Sequence, residues 1–169
     1  MATVAFVGLG SNLAHPRRQI ARAIAAIARL HGTRVVALSP NYASAPVPTD
    51  ATQPDYVNAV VALRTALPPR SLLRRLQAIE RRHGRQRDSG TPRNSPRTLD
   101  LDLLLFGRRI VRLPQLTVPH PRMHERAFVL TPLLDLAPAA TIPGRGLARR
   151  ERRAIRGQRI ARTRSHPTR

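Results

Sequence analysis

A chain of 169 residues with 30 arginines, no lysine, nine acids and a formal net charge of +21 is long enough for one domain with its own core. The absence of cysteine excludes a disulfide framework and a thiolate metal site, and the absence of lysine excludes a Walker-type phosphate loop. No apolar run reaches the roughly 20 residues of a membrane span and no basic leader opens the chain, so a soluble, cytoplasmic protein is expected.

Residues 3–9 read as an apolar strand that ends at Gly8 and Gly10. Pro16 suits a helix start, Ile20, Ile24, Ile27 and Leu30 recur at helical spacing, and Gly32 closes the helix. Val35–Leu38 is a second strand with room to run on to Tyr42. Three prolines between 43 and 54 make that stretch a loop of restricted shape. Tyr56–Thr65 is a third strand, with Val57, Ala59, Val61 and Leu63 on one face and Tyr56, Asn58 and Val60 on the other. Pro68 and Pro69 introduce a helix carrying Leu72, Leu73, Leu76 and Ile79, which stops at Gly84.

An arginine-rich loop with Arg85, Arg87, Arg93 and Arg97 then leads into Leu-Asp-Leu-Asp-Leu-Leu-Leu-Phe, residues 99–106. Alternation here is the period-2 signature of a half-buried strand. It puts Leu99, Leu101, Leu103 and Leu105 on one face and Asp100 and Asp102 on the other, about 6.6 Å apart along the strand. Two readings stand at this point: aspartates that merely solvate the outside of a sheet, or aspartates that bind a hard cation. Asp is a poor strand residue, and such local conflicts concentrate at functional sites. Carboxylates beside an arginine loop suit Mg²⁺ and a polyphosphate. Beyond this strand, Ile110–Val111 is expected to return as a short strand, Val118–Pro121 to form a loop, and Met123–Leu136 to contain a third helix, interrupted or kinked at Pro132.

The order β-α-β-β-α-β predicts an α+β, ferredoxin-like fold, an antiparallel sheet with helices packed on one face, followed by a C-terminal helix and a basic tail. Residues 1–143 form the expected domain. Ten of the 30 arginines fall between Arg145 and Arg169 with Glu151 as the one acid. Residues 144–169 are therefore expected to be a mobile tail with a few helical turns near 148–155, so that deletion of 149–169 leaves activity near normal.

Gly10-Ser11-Asn12-Leu13, Gln53-Pro54-Asp55-Tyr56-Val57-Asn58, Gln77 to Gly84 with Arg85 and Arg87, Pro96 to Gly107, and Val118 to Leu130 together resemble the 6-hydroxymethyl-7,8-dihydropterin pyrophosphokinases, over residues 3–143. The resemblance implies transfer of a pyrophosphoryl group from ATP to the pterin hydroxymethyl, with release of AMP, in tetrahydrofolate biosynthesis. It implies Arg85, Arg97, Asp100 and Asp102 as catalytic, the two aspartates holding two Mg²⁺ ions. It places Gln77, Glu80, Arg87, Arg93, His120 and Arg126 at ATP, and Ser44, Ala45, Val47, Tyr56, Asn58 and Phe128 around the pterin. The hydroxymethyl proton goes either to Asp102 or directly from a metal-activated oxygen. ATP and the reduced pterin are the expected partners, with no membrane, no nucleic acid and a monomeric chain.

The family often has a tryptophan immediately after the position of Arg93, where this chain has Asn94. Two rival readings remain: a ferredoxin-like RNA-binding domain using the basic tail, and a metal-dependent phosphatase or nuclease built on Asp100 and Asp102. The strands offer few aromatics for base stacking, which counts against the first.

Overall fold

Thr3–Ser11 (β1) is an inner strand of the sheet, paired antiparallel on both sides. The computed structural model describes residues 1–46, 52–84 and 96–163. Helix α1 (Pro16–Ala28) follows, then β2 (Thr33–Leu38), β3 (Tyr42–Ser44) and β4 (Tyr56–Thr65). Helix α2 (Pro69–Arg82) and β5 (Asp100–Phe106) complete the expected βαββαβ order, with the short β3 as an additional strand between the helices. The strands run antiparallel in the order β10-β3-β4-β1-β5, where β10 is Ile160–Arg162 at the far end of the chain, and β2 also pairs with β4. Residues 43–44, expected in a loop, belong to β3 and pair with Tyr56 and Val57.

The predicted faces of β4 hold. Ala59, Val61 and Leu63 pack with Ile20, Ile27, Leu72 and Leu76 of α1 and α2 in the main core, whereas Val60 joins a second cluster on the opposite face. Leu101 and Leu103 of β5 also join the main core, but Leu105 does not. The register passes from Phe6 opposite Leu105 to Val7 opposite Leu103, leaving Leu104 as an extra residue. Such a bulge inverts the alternation beyond it, so Leu105 turns to the second cluster and Phe106 to the first.

The expected return strand is a hairpin, β6 (Val111–Leu113) with β7 (Leu116–Val118). The expected helix over 123–136 is divided. A 3-10 turn at Met123–Glu125 is followed by Arg126 in an extended conformation (φ −117°, ψ 107°) and then by α3, Ala127–Leu136, with Pro132 inside it. Helix α3 covers the second face of the sheet through Val129, Leu130 and Leu133.

The expectation of a mobile tail from 144 is corrected as far as Thr163. A small hairpin (β8, Thr141–Ile142; β9, Gly146–Leu147) and helix α4 (Ala148–Ala154) pack on α3, with Ile142 and Ala148 buried and Ile155 against the same cluster. Arg152 Nε donates to Thr131 Oγ1 at 2.6 Å. Composition alone pointed to disorder, but the few apolar residues among the arginines suffice to anchor the segment. Deletion of 149–169 is now expected to lower stability by roughly 2 kcal/mol or more, measurable as an earlier urea midpoint, and to reduce activity. Among the described residues no helix is long and apolar enough to cross a membrane.

Candidate active site

Asp100 and Asp102 lie opposite Gly10 and Gly8 of β1, and those glycines lie opposite Asn58 and Val60 of β4 on the other side. The two glycines thus form a floor without side chains between the carboxylates and β4. A Cβ on Gly10 would come within 3.4 Å of Asn58 Oδ1, and one on Gly8 within 3.4 Å of Leu104 Cδ1. Above this floor opens a cavity of about 410 Å³ whose walls include Tyr56, Asn58, Asp100, Asp102, Arg126 and Phe128, a size suited to a small organic ligand. The glycines matter here for the space they leave and not as a phosphate loop.

The pterin-side candidates converge. Asn58 Nδ2 donates to Ser44 Oγ at 2.8 Å, and both residues are buried, so the β3–β4 pairing fixes the amide's orientation. Ala45 lines the same cavity. Tyr56 and Phe128 stand half-buried on its walls, Tyr56 on β4 and Phe128 in the first turn of α3. Two aromatic faces on one cavity suit a flat heterocycle.

Each aspartate has a cationic neighbour. Arg97 Nη1 donates to Asp100 Oδ2 at 2.5 Å, and Arg126 Nη1 lies 3.5 Å from Asp102 Oδ2. The Arg126 guanidinium is also 5.7 Å from the centre of the Phe128 ring, within cation–π reach. Burial lowers the pKa of Arg126 from its usual value, with the Asp102 carboxylate opposing that shift.

His120 stands 3.8 Å from Asp102 Oδ2 through Nε2. Its Nδ1 accepts from the Arg122 backbone N–H at 3.1 Å, which assigns the ring proton to Nε2. Burial, and next the charge of Arg126, push its pKa down to about 4, so at neutral pH the ring is an uncharged donor. Between pH 6.5 and about 4 the unfolded chain gains a proton here that the folded chain refuses, so stability must fall as pH falls through that window. The contribution is roughly 3 kcal/mol at full extent. Urea titrations across that range should show a steeper acid loss in the native protein than in His120→Asn.

A second cavity, of about 290 Å³, lies on the β7 side of β5 and is lined by Gln77, Thr117, His120 and Asp102 among others. Asp102 borders both cavities. Glu80 lines neither: it is fully buried, and its Oε1 accepts the Leu101 N–H at 2.8 Å, bracing the strand between the two aspartates from behind.

Other residues of the site had no role assigned from the sequence. Asn12 is buried; its Oδ1 accepts from Arg97 N at 2.8 Å, its own N–H donates to Arg97 O at 3.1 Å, and its Nδ2 donates to Pro54 O at 3.1 Å. It ties the end of the arginine loop to the loop before β4. Gly157, Gln158 and Arg159 also line the larger cavity; their distance along the chain hid them. Arg85, Arg87, Arg93, Val47 and Asn94 lie outside the described residues.

Two carboxylates on one strand face supply hard oxygen donors. Among the described residues no three His, Cys, Asp or Glu side chains cluster as a metal cage. That donor set fits Mg²⁺, which commonly takes one or two protein carboxylates and fills its remaining positions with water and phosphate oxygens.

Residues 6–138 match the family model described as 7,8-dihydro-6-hydroxymethylpterin-pyrophosphokinase. The chain is 56% identical over 139 residues to the 2-amino-4-hydroxy-6-hydroxymethyldihydropteridine pyrophosphokinase of Pseudomonas aeruginosa, covering 82% of this chain and 83% of that one. It is 46% identical over 140 residues to the Haemophilus influenzae protein of the same name, covering 82% and 84%. A solved Plasmodium falciparum HPPK-DHPS triple mutant shares the fold, with a TM-score of 0.70 at 13% identity over 90% of this chain, which spans 43% of that longer protein. The chain belongs to the 7,8-dihydro-6-hydroxymethylpterin-pyrophosphokinase family.

Proposed function

We propose a division of labour among these side chains for the reaction of this family, transfer of a pyrophosphoryl group from ATP to the hydroxymethyl of 6-hydroxymethyl-7,8-dihydropterin in folate biosynthesis. The observation that carries it is the position of Asp102 on the border of two cavities. ATP lies with its base in the smaller cavity, near Gln77 and His120, and its phosphates pass Asp102 into the larger one. The pterin lies over the glycine floor between Tyr56 and Phe128, with Asn58, Ser44 and Ala45 at its polar edge; Val47 is assigned to the pterin on the family pattern.

Asp100 and Asp102 would hold two Mg²⁺ ions. When bound, the metal supplies charge neutralisation for the phosphates and a lower pKa for the attacking hydroxyl. Phosphoryl transfer asks the protein chiefly for in-line positioning and stabilisation of spread negative charge. Arg97 and Arg126 are placed for that, because a guanidinium can give paired hydrogen bonds to phosphate oxygens. Arg85, Arg87 and Arg93 are assigned to the same phosphates on the family pattern. The neutral His120 offers a hydrogen bond without adding charge. Glu80 serves ATP indirectly, by holding the backbone of Leu101. Asp102 is the carboxylate at hand for the hydroxymethyl proton. An active cytoplasmic monomer belongs to the same proposal, with residues 1–143 as the core of the catalytic domain and Gly157–Arg159 completing the wall of its larger cavity.

Incubation with Mg²⁺, ATP and the reduced pterin tests the reading: one AMP should appear for each pterin diphosphate formed. ADP with a pterin monophosphate, or release of phosphate without pterin, would contradict it.

A further inference from the structure

The C-terminal segment beyond the family match reaches back into the site. From the end of α4 the chain passes Gly157, Gln158 and Arg159 along the larger cavity. It then enters β10, where Ile160, Ala161 and Arg162 pair with Ser44, Ala43 and Tyr42. Thr163 N donates to Asn41 O at 2.9 Å. The segment is thus fixed at both ends, and Ser44, the partner of Asn58, is one of the residues that β10 pairs with.

Within it, the Gln158 amide makes two bonds to one short stretch of backbone. Its Oε1 accepts from Ala127 N at 2.8 Å, and its Nε2 donates to Glu125 O at 2.7 Å. These groups flank Arg126, the residue that interrupts the 3-10 turn and α3. Ala127 N–H is one of the donors that a helix start leaves without an intrahelical acceptor, and Arg126, at the cap position, makes no side-chain cap bond. Gln158 takes over that role from 31 residues away. By bonding the carbonyl before Arg126 and the N–H after it, the amide holds Arg126 extended, with its guanidinium toward Asp102 and Phe128 following in the first helical turn.

We propose that Gln158 is a positioning residue for the pterin site, a clamp from the C-terminal segment that sets Arg126 and Phe128 against the cavity. The clamp rests on the functional reading above, since it acts through residues assigned there to the pterin and the phosphates. Pre-organising a wall lowers the cost of ordering it on binding. The smaller cavity, assigned to the ATP base, does not include Gln158, and Arg126 is one of five arginines assigned to the phosphates, so the larger effect falls on the pterin, which loses a wall.

The test uses the full chain and its Gln158→Ala and Gln158→Glu variants, with Kd for 6-hydroxymethyl-7,8-dihydropterin and for ATP measured by titration, alongside Tm. Gln158→Ala is expected to weaken pterin binding about tenfold while leaving ATP within about twofold. Gln158→Glu keeps the acceptor for Ala127 and loses the donor to Glu125, so it should fall between the two. Equal weakening of both ligands, or a lowered Tm with unchanged pterin affinity, would reduce Gln158 to a structural residue and overturn the clamp. Native protein that binds the pterin normally while both variants match it overturns the clamp alone. Native protein with no affinity for the pterin overturns the functional reading as well.

Discussion

Asp100→Ala and Asp102→Ala should each lower kcat by about 10³-fold or more, the scale expected when a charge-stabilising group is removed from a reacting centre. Neither change should unfold the protein. Both side chains stand on the cavity side of β5, while Leu101 and Leu103, beside them on the strand, pack in the main core on the other face. The Tm of each variant should stay within about 3 °C of the native value. Asp100→Asn and Asp102→Asn preserve shape and lose charge, so they should be nearly as inactive as the alanine variants. Steady-state assays at saturating Mg²⁺ and ATP make the comparison. Near-native turnover in both asparagine variants would separate the carboxylates from the metal.

Asn12→Ala should act through a different route, and on stability as well as rate. The side chain makes bonds to Arg97 N and Pro54 O from a buried position. Its loss leaves the Arg97 N–H and the Pro54 carbonyl without their partner at a partly buried position, at about 1–2 kcal/mol for each group. A total loss of roughly 2–4 kcal/mol follows, or a Tm lower by about 5–15 °C. Because Arg97 then loses its tether, kcat should fall as well. Asn12→Asp keeps the acceptor for Arg97 N and loses the donor to Pro54, so it should retain more rate than stability. Calorimetry with single-turnover kinetics on the same samples would show the split; equal kcat in native and Asn12→Ala protein would detach the tether from catalysis.

The core and the reacting strand were legible because their signals are local. Alternation over residues 99–103 and 56–63 reports a strand and its faces directly, and both strands lie as the pattern requires. The pattern failed at Leu105 because a bulge is a property of two strands in register, invisible in either alone. It failed again at Arg126. The sequence from Met123 to Leu136 suits one helix, and the backbone on either side of the break is bonded by Gln158, a residue far along the chain. The arginine-rich end misled for a related reason. Charge density argued for a solvated tail, while the pairing of Ile160–Arg162 with β3 depends on backbone groups that composition does not report.

The site divides in the same way. Tyr56, Asn58, Arg97, Asp100, Asp102, Arg126 and Phe128 were all expected, and the structure gathers them on one cavity. Gln77 and His120 line the second. Glu80 instead acts from behind β5. The glycines of β1 gave a signal whose meaning needed the register, since only their pairing with Asp100, Asp102 and Asn58 shows the floor they make. The RNA-binding alternative loses its platform, because α3 covers much of the sheet face that bases would need.

In the proposed site the two carboxylates of β5 hold metal against a triphosphate beside a pterin slot. Crystals grown with a non-hydrolysable ATP analogue, the reduced pterin and Mn²⁺ in place of Mg²⁺ test it by anomalous scattering. Metal peaks are expected at coordinating distance, about 2.0–2.4 Å, from oxygens of both Asp100 and Asp102, with the pterin between Tyr56 and Phe128. A bound nucleotide whose metal lies beyond reach of both aspartates would contradict it.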